Sequence, residues 1–516
     1  MYLMELLTSL LPLPLNSVLI FVSIGLLAWY YLEEKLSYWS RRGVPYLPAL
    51  KCLVQDLAFF CKRKSITEIF AEQHRLLKGH KYGGAFQMLQ PSIILRDPAM
   101  IKEWLVKGFS SFHDRGPEPN EKADKLSGNL FQLGGDRWRR VRHKLSPAFS
   151  SAKLKIMYET LKDCAEECNA HLEARCASLG ETEVDIKDLV INYTLDVIGA
   201  CAMGIKCNAV QDPGNCEMKR VLRELFRSSW RQSMLPAMEV VHPNRFRSCS
   251  VSRRGSRHKH LMTITKDAME MDQSRAQPES EVTRDSNEDL TLLDGGVIDE
   301  GPLFWTENLI SGVITSFLFA GLEPVSATAI FCLFELIHYP EIQERLFEEI
   351  QAVRKESGGE IKYEDLKKLR YLDQVVNETL RKHPVAGLLG RNCTEPFQIP
   401  GTSVVVEKDV KLFVSTYCLH RDPEYFPEPD KFDPERFSEE NVDKIIPGSY
   451  LPFGEGPRFC IAQRLALMDV KTMVITLISG YTLHRCAKTA DRLEMDKTTF
   501  TLSPKDPVWL RLKKRL

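Results

Sequence analysis

The stretch Pro452 to Arg464, PFGEGPRFCIAQR, sets one cysteine behind two glycines, a phenylalanine and an arginine. A thiol in apolar surroundings stays protonated; it becomes an anion where a metal or a positive field holds it. Gly454 and Gly456 permit a tight turn and a close approach of backbone to a flat object. The residues after Cys460, IAQRLALMDVKTMVITLIS, have helical periodicity, which places the sulfur just ahead of a helix N-terminus. Arg458 adds a cation two residues away. The pattern describes a loop that stabilises a thiolate beside a large planar ligand. The chain has 14 cysteines, and they form no C-x-x-C pair and no zinc-spaced set with histidine, so the others read as small core hydrophobes.

Haem suits such a loop, because its iron takes a thiolate and its propionates need cationic partners. Phe453 to Cys460 matches the F-x-x-G-x-R-x-C loop of the cytochrome P450 family, and on this motif the chain resembles that family. Ala462 stands where the family usually has glycine. Further motifs follow in the family's order. Glu378 and Arg381 in NETLRKHP stand three apart, so they share a helix face. Arg436 lies downstream in FDPERF. The resemblance implies that these three form a buried network supporting the cysteine loop. Trp138 and Arg142 in GDRWRRVRHKLSPAF stand four apart on one helix face, and Arg391 follows in GLLGRNC. With Arg458 they are implied as donors to the haem propionates, Phe453 as part of the haem loop, and Cys460 as the axial thiolate of haem b. The finer likeness, in SSFHDRG, LSGNLFQLGGDRWRRVRHKLSPAFSSAKLK and DVIGACAMGIKCN, is to the microsomal animal type, closest to arthropod enzymes that oxidise hormones, plant toxins and insecticides. It is weakest between about 206 and 302, the part that in the family shapes the substrate roof and entrance.

The elements that must position these residues read as mainly α with small β-sheets, one large body with no internal repeat. The resemblance makes this a single P450 fold on an N-terminal transmembrane helix. Helical patterns dominate from about 60 to 230 and from about 303 to 384; strand-like runs appear in FQMLQPSIIL, SVVVEKDVKLFVSTY and FTLSPKDPVWLRL. From about 247 to 300 the chain is polar and reads as a solvated loop. Leu15 to Leu32 is apolar and long enough to span a bilayer, with Trp29, Tyr30 and Tyr31 at its end and Lys35, Arg41 and Arg42 beyond. By the positive-inside rule this predicts an anchor over 1–33, a proline-containing extended linker over 34–50 and a body over 51–516 facing the cytosol; the resemblance implies that this body is the haem-thiolate catalytic domain and that the membrane is the endoplasmic reticulum. Lys+Arg and Asp+Glu are 69 each, which argues against a nucleic-acid binder.

One departure from the family pattern bears on function. In SFLFAGLEPVSATAIF, Ala320, Gly321 and Glu323 occupy the family's oxygen-side motif, but Pro324 stands where the family usually has threonine. Proline supplies neither hydroxyl nor backbone N–H. The expected activity is monooxygenation of a lipophilic substrate, with electrons from NADPH through NADPH–cytochrome reductase, cytochrome b5 as a second donor, and protons through Glu323 and water. The resemblance implies substrate walls around Phe109 to Glu121 and Phe317 to Glu323. The alternatives are a reductase-independent peroxide isomerase or dehydratase and a poorly active haem-binding protein. A cysteine nucleophile would need a positioned histidine base, which the sequence does not identify. RWRRVRHK, Arg137 to Lys144, is a candidate docking patch for an acidic redox partner.

Overall fold

The apolar N-terminal run folds as one helix, α1 (Leu15–Leu36), in the computed structural model, which describes residues 15–515 except 117–118, 122–123, 178 and 227–304. The polar segment expected as a loop therefore lies outside the described residues. The apolar side chains along α1 are exposed, Leu27 and Trp29 by 69% each. The following stretch differs from the expected tether. It begins as the end of α1 and is then pinned to the body: Trp39 is fully buried and its indole donates to Ala85 O at 2.9 Å, while Leu47 N donates to Gly84 O and Gly84 N to Pro45 O. Gly84 is required there, because a Cβ would meet the Trp39 ring at 2.4 Å. The two prolines do hold the backbone extended, but a large aromatic side chain with a bonded N–H gains more by burial than by remaining in a free linker.

Two further helices, α2 (Ala49–Phe60) and α3 (Ile66–Leu76), lead into a hairpin of β1 (Tyr82–Gln87) and β2 (Gln90–Leu95), turned at Met88 and Leu89 with positive φ. The helical body follows as α4 (Gly135–Leu145), α5 (Ser151–Cys176), α6 (Ile186–Met203), α7 (Glu307–Leu336), α8 (Pro340–Glu356), α9 (Arg370–Lys382) and α10 (Gln463–Gly480). Strand β3 (Glu181–Asp185) precedes α6; β4 (Leu389–Asn392) and β5 (Lys411–Val414) follow α9, and β6 (Tyr481–His484) and β7 (Trp509–Lys514) follow α10. One sheet has the order β1-β2-β5-β4, with β2 and β5 parallel in the register Ser92↔Lys411; a second has the order β3-β7-β6, and a two-stranded hairpin pairs Phe397–Gln398 with Val405–Val406. The run FTLSPKDPVWLRL is strand only at its end.

Helix α7 crosses the middle of the molecule. It is long and apolar enough to cross a membrane, yet 67% of its most apolar window is buried, so that apolarity serves the core. Phe331 and Leu333 pack in one cluster with Val376 and Leu380 of α9 and Met473, Val474 and Leu477 of α10. This packing fixes the relative positions of the oxygen-side motif on α7, the Glu–Arg pair on α9 and the cysteine loop that starts α10.

Candidate active site

The loop from Phe453 to Cys460 is closed by its own backbone: Cys460 N donates to Phe453 O at 3.0 Å, Phe459 N to Gly456 O at 2.9 Å and Gly454 N to Leu451 O at 3.2 Å. Gly454 and Gly456 have φ of +83° and +70°, and a Cβ on Gly456 would stand 2.1 Å from Leu105 O. Both are left-handed positions that favour glycine. Cys460 lies two residues before the α10 cap, Ala462. Burial raises the thiol pKa, and the Ala462 N–H, Arg142 and Arg115 pull it back. The α10 N-terminus thus works toward an anion at this sulfur, as its place in the sequence predicts.

Around the loop the chain gathers cations. Arg142 of α4 is buried, donates from Nη1 to Phe459 O at 2.9 Å, and lies 4.9 Å from the Phe459 ring centroid. Arg458 is 2% exposed; its Nε donates to His113 O at 2.7 Å, its Nη2 to Leu133 O at 2.7 Å, and its guanidinium stacks 4.0 Å over the buried Trp138 ring. Its Nη1 is buried with no hydrogen-bond partner among the described residues. Arg391, on β4, is buried as well. Sequence reasoning missed a fourth member, Arg115, whose Nη2 donates to Arg458 O at 2.8 Å. It stands in SSFHDRG, a stretch that marked family likeness without pointing to a role for this arginine. Burial depresses these groups to about 8 for Arg458, about 9 for Arg391 and about 10 for Arg115. Arg458 is pushed further by Arg115 and Arg391, and Arg391 by Arg115; Asp114 opposes this at Arg458, with an oxygen 3.4 Å from Nη2. Buried guanidinium groups that repel one another need anionic partners. The orphaned Nη1 of Arg458 and the surplus of arginine over Asp114 fit the two carboxylates of haem.

Behind the loop, Glu378 and Arg381 are fully buried and form a bidentate pair, Nε to Oε2 at 2.7 Å and Nη2 to Oε1 at 2.8 Å. Glu378 Oε1 also accepts from Asp433 N at 2.9 Å, and Arg436 Nε lies 3.5 Å from it. Arg436 is bound more firmly to Glu428 O, at 3.0 Å, and so sits at the margin of the network. The pair reaches the loop through His420, which sequence reasoning also missed because nothing in CLHRDP marks it. Arg381 Nη1 donates to His420 O at 2.8 Å, and Leu451 N donates to His420 Nε2 at 2.8 Å. Burial holds the His420 pKa down at about 3, so the ring is neutral and able to accept. Tyr450 OH, next in the chain, donates toward Asn377 at 3.0 Å.

On the other side, Ala320 is exposed in the middle of α7 although most of the helix is buried. Phe317, Glu323 and Pro324 fall on the same side at helical spacing. Gly321 turns toward α6, where a Cβ would stand 2.5 Å from Ile198 Cδ1; its smallness serves the helix contact. Ser326 is buried, and its hydroxyl donates to Glu323 O at 3.1 Å. The Glu323 pKa is raised by burial and lowered by Thr501. In the candidate docking patch Arg137 is paired with Glu121 at 2.5 Å and Arg139 is half-buried, while His143 and Lys144 are exposed.

The family profile named Cytochrome P450 matches residues 47–511. The chain is 32% identical over 517 residues to the probable cytochrome P450 6d4 of Drosophila melanogaster, covering 97% of this chain and 98% of the relative. It is 31% identical over 513 residues to cytochrome P450 6k1 of Blattella germanica, covering 95% of each, and 31% identical over 504 residues to cytochrome P450 9e2 of the same species, covering 93% and 94%.

Proposed function

The chain belongs to the cytochrome P450 family, the haem-thiolate monooxygenases, and from that premise we propose that it oxidises a lipophilic substrate with dioxygen and NADPH-derived electrons, using Cys460 as the haem ligand. Proteins of this family bind haem b through a cysteine thiolate and work with a redox partner. The observation that carries the residue assignment is the set of buried arginines around the Cys460 loop, with Arg458 Nη1 left unpartnered among the described residues. Arg115, Arg142, Arg391 and Arg458 would hold the propionates, and Trp138 would fix the Arg458 guanidinium by stacking. Bound haem supplies the oxidising chemistry. The protein's part is to present the thiolate, exclude water and deliver protons. Glu323 suits the last task by its place on α7 near Ala320, and burial raises its pKa above the ordinary carboxylate value.

The apolar helix α1 supports anchorage in the endoplasmic reticulum membrane with the body toward the cytosol, since cationic residues flank its C-terminal end. There NADPH–cytochrome reductase and cytochrome b5 are the donors, docking by charge near Arg139, Arg140, His143 and Lys144. Pro324 supports a second reading, a peroxide isomerase or dehydratase that needs no reductase. The carbon monoxide difference spectrum of the membrane-expressed protein tests both. A thiolate-type Soret band with dithionite and with NADPH plus reductase supports the monooxygenase. A band with dithionite alone supports the second reading, and no band removes the haem assignment.

A further inference from the structure

Helix α2 is built inside out. Its outward face carries Leu50, Val54 and Leu57, exposed by 72%, 60% and 50%, and their spacing of four and then three aligns them in one stripe. Its inward face carries polar groups. Gln55 is buried and its Oε1 accepts from Gln73 Nε2 of α3 at 2.9 Å, while its own Nε2 is buried with no hydrogen-bond partner among the described residues. Asp56, next in the chain, accepts from Met88 N in the turn between β1 and β2 at 2.7 Å. Single exposed leucines are ordinary on a protein in water; an apolar stripe outside a buried glutamine is not.

The features at either end of the stripe fit a lipid surface. Tyr46 is exposed just ahead of the helix, and Phe59 and Phe60 are half-buried at its end with ring centroids 5.4 Å apart. Lys51, beside the stripe, and Lys62 and Arg63, beyond the aromatic pair, are exposed. Apolar stripe, aromatic end and flanking cations together are the composition of a helix that lies in the headgroup layer of a bilayer. Resting on the reading of α1 as a membrane anchor for its placement, we propose that α2 is a second membrane contact, with Leu50, Val54 and Leu57 immersed at the headgroup boundary of a phospholipid bilayer and Lys51, Lys62 and Arg63 reaching lipid phosphates.

The chain between the two helices puts α2 where this requires. Residues 37–48 are pinned to the hairpin that also holds α2: the Trp39 indole donates to Ala85 O at 2.9 Å, Leu47 N to Gly84 O at 2.9 Å, and Asp56 takes Met88 N. Leu36, the last residue of α1, and Tyr38 pack against the same cluster as Ala49 and Cys52 on the inner face of α2. A bilayer that takes α1 therefore meets α2 near the level at which α1 leaves it. A second copy of the chain fits the face less well, because a symmetric contact would bring the flanking cations of both copies together, whereas a bilayer offers them phosphates. With two contacts the body does not swing freely about the end of α1.

The test uses the full-length holoenzyme in nanodiscs of phosphatidylcholine and phosphatidylserine, with an environment-sensitive fluorescent amino acid in place of Val54, Leu27 or Leu179. Leu27 reports on α1, and Leu179, exposed by 82% ahead of β3 in the second sheet, is the control. Lipids with a nitroxide near the head of the acyl chain should quench the probe at position 54 about threefold, mid-chain nitroxides should quench the probe at position 27, and neither should reach position 179. Leu57→Asp should cut the quenching at position 54 about fivefold and leave the thiolate-type carbon monoxide band unchanged. Leu50→Asp takes its place if that variant loses the band. A probe at position 54 that stays unquenched while position 27 is quenched overturns the proposal and leaves the anchor standing. A probe at position 54 that is shifted to the blue but unquenched shows that protein covers the face and overturns it too, as does quenching that the aspartate variant leaves unchanged. Quenching at position 54 with none at position 27 breaks the anchor reading instead and keeps α2 as the membrane contact.

Discussion

The thiolate side and the oxygen side of the candidate site are built in different ways. Around Cys460 the family pattern is nearly complete and every part is held by more than one contact: loop backbone to itself, Arg142 and Arg115 to loop carbonyls, and Arg381 through His420 to Leu451. On α7 the pattern is broken at Pro324, and the nearby helix hydroxyls are spent on backbone carbonyls, Ser326 on Glu323 O and Thr328 on Pro324 O. Ligand geometry depends on many atoms in fixed places, so change there is costly. Proton delivery depends on one group within reach.

The sharpest test of that contrast is Cys460→Ala, which should abolish the thiolate-type carbon monoxide band altogether; a retained band would place the ligand elsewhere. Next comes Arg381→Ala. It strands the fully buried Glu378 and should cost about 3–5 kcal/mol, read as little haem incorporated and a large fall in melting temperature. Asp469 on α10 offers a pH handle on the same side. It is buried, and burial lifts its pKa to about 7 against a Tyr193 contact that lowers it. The folded pKa lies above the unfolded one, so the native state holds this proton more tightly. That stability is complete below the ordinary carboxylate range and is lost as pH rises through about 7. Asp469→Asn should therefore melt higher than wild type at pH ~8. The gap should narrow toward pH ~5, by about 1.4 kcal/mol for each pH step of one below about 7. A gap that does not change with pH would refute the titration.

His420→Ala removes the acceptor for Leu451 N and should cost about 1–3 kcal/mol. It should also convert part of the carbon monoxide band to a form lacking the thiolate, a signature that loss of stability alone would not produce. The oxygen side should respond more mildly. Pro324→Thr restores an N–H for Ala320 O and should leave the carbon monoxide band intact while raising the melting temperature slightly, by about 1 kcal/mol. Loss of the band on that change would show that the two sides are not independent. The smallest expected effect is at the docking face. Arg139→Glu with Arg140→Glu should slow reduction by the reductase at low salt, with the difference fading as salt rises. Equal rates at low salt would remove the patch.

The sequence by itself determined the local and near-neighbour features. Helix periodicity located α10 after Cys460 and marked the ranges from about 60 to 230 and from about 303 to 384 as mostly helical, because a repeat of 3.6 is a property of one segment. The cysteine loop, the two glycines and the i,i+3 pair on α9 were legible because their chemistry depends on spacing along one segment. Tertiary structure alone decided which distant groups meet. Arg115 joins the arginine cluster across 343 residues, and His420 ties Arg381 to Leu451 from a segment with no distinctive motif. Trp39 likewise left an expected tether for the core because Gly84 leaves room for its ring. Such meetings carry no period or spacing to read; they follow from how α7, α9 and α10 pack, and packing is a property of the whole chain.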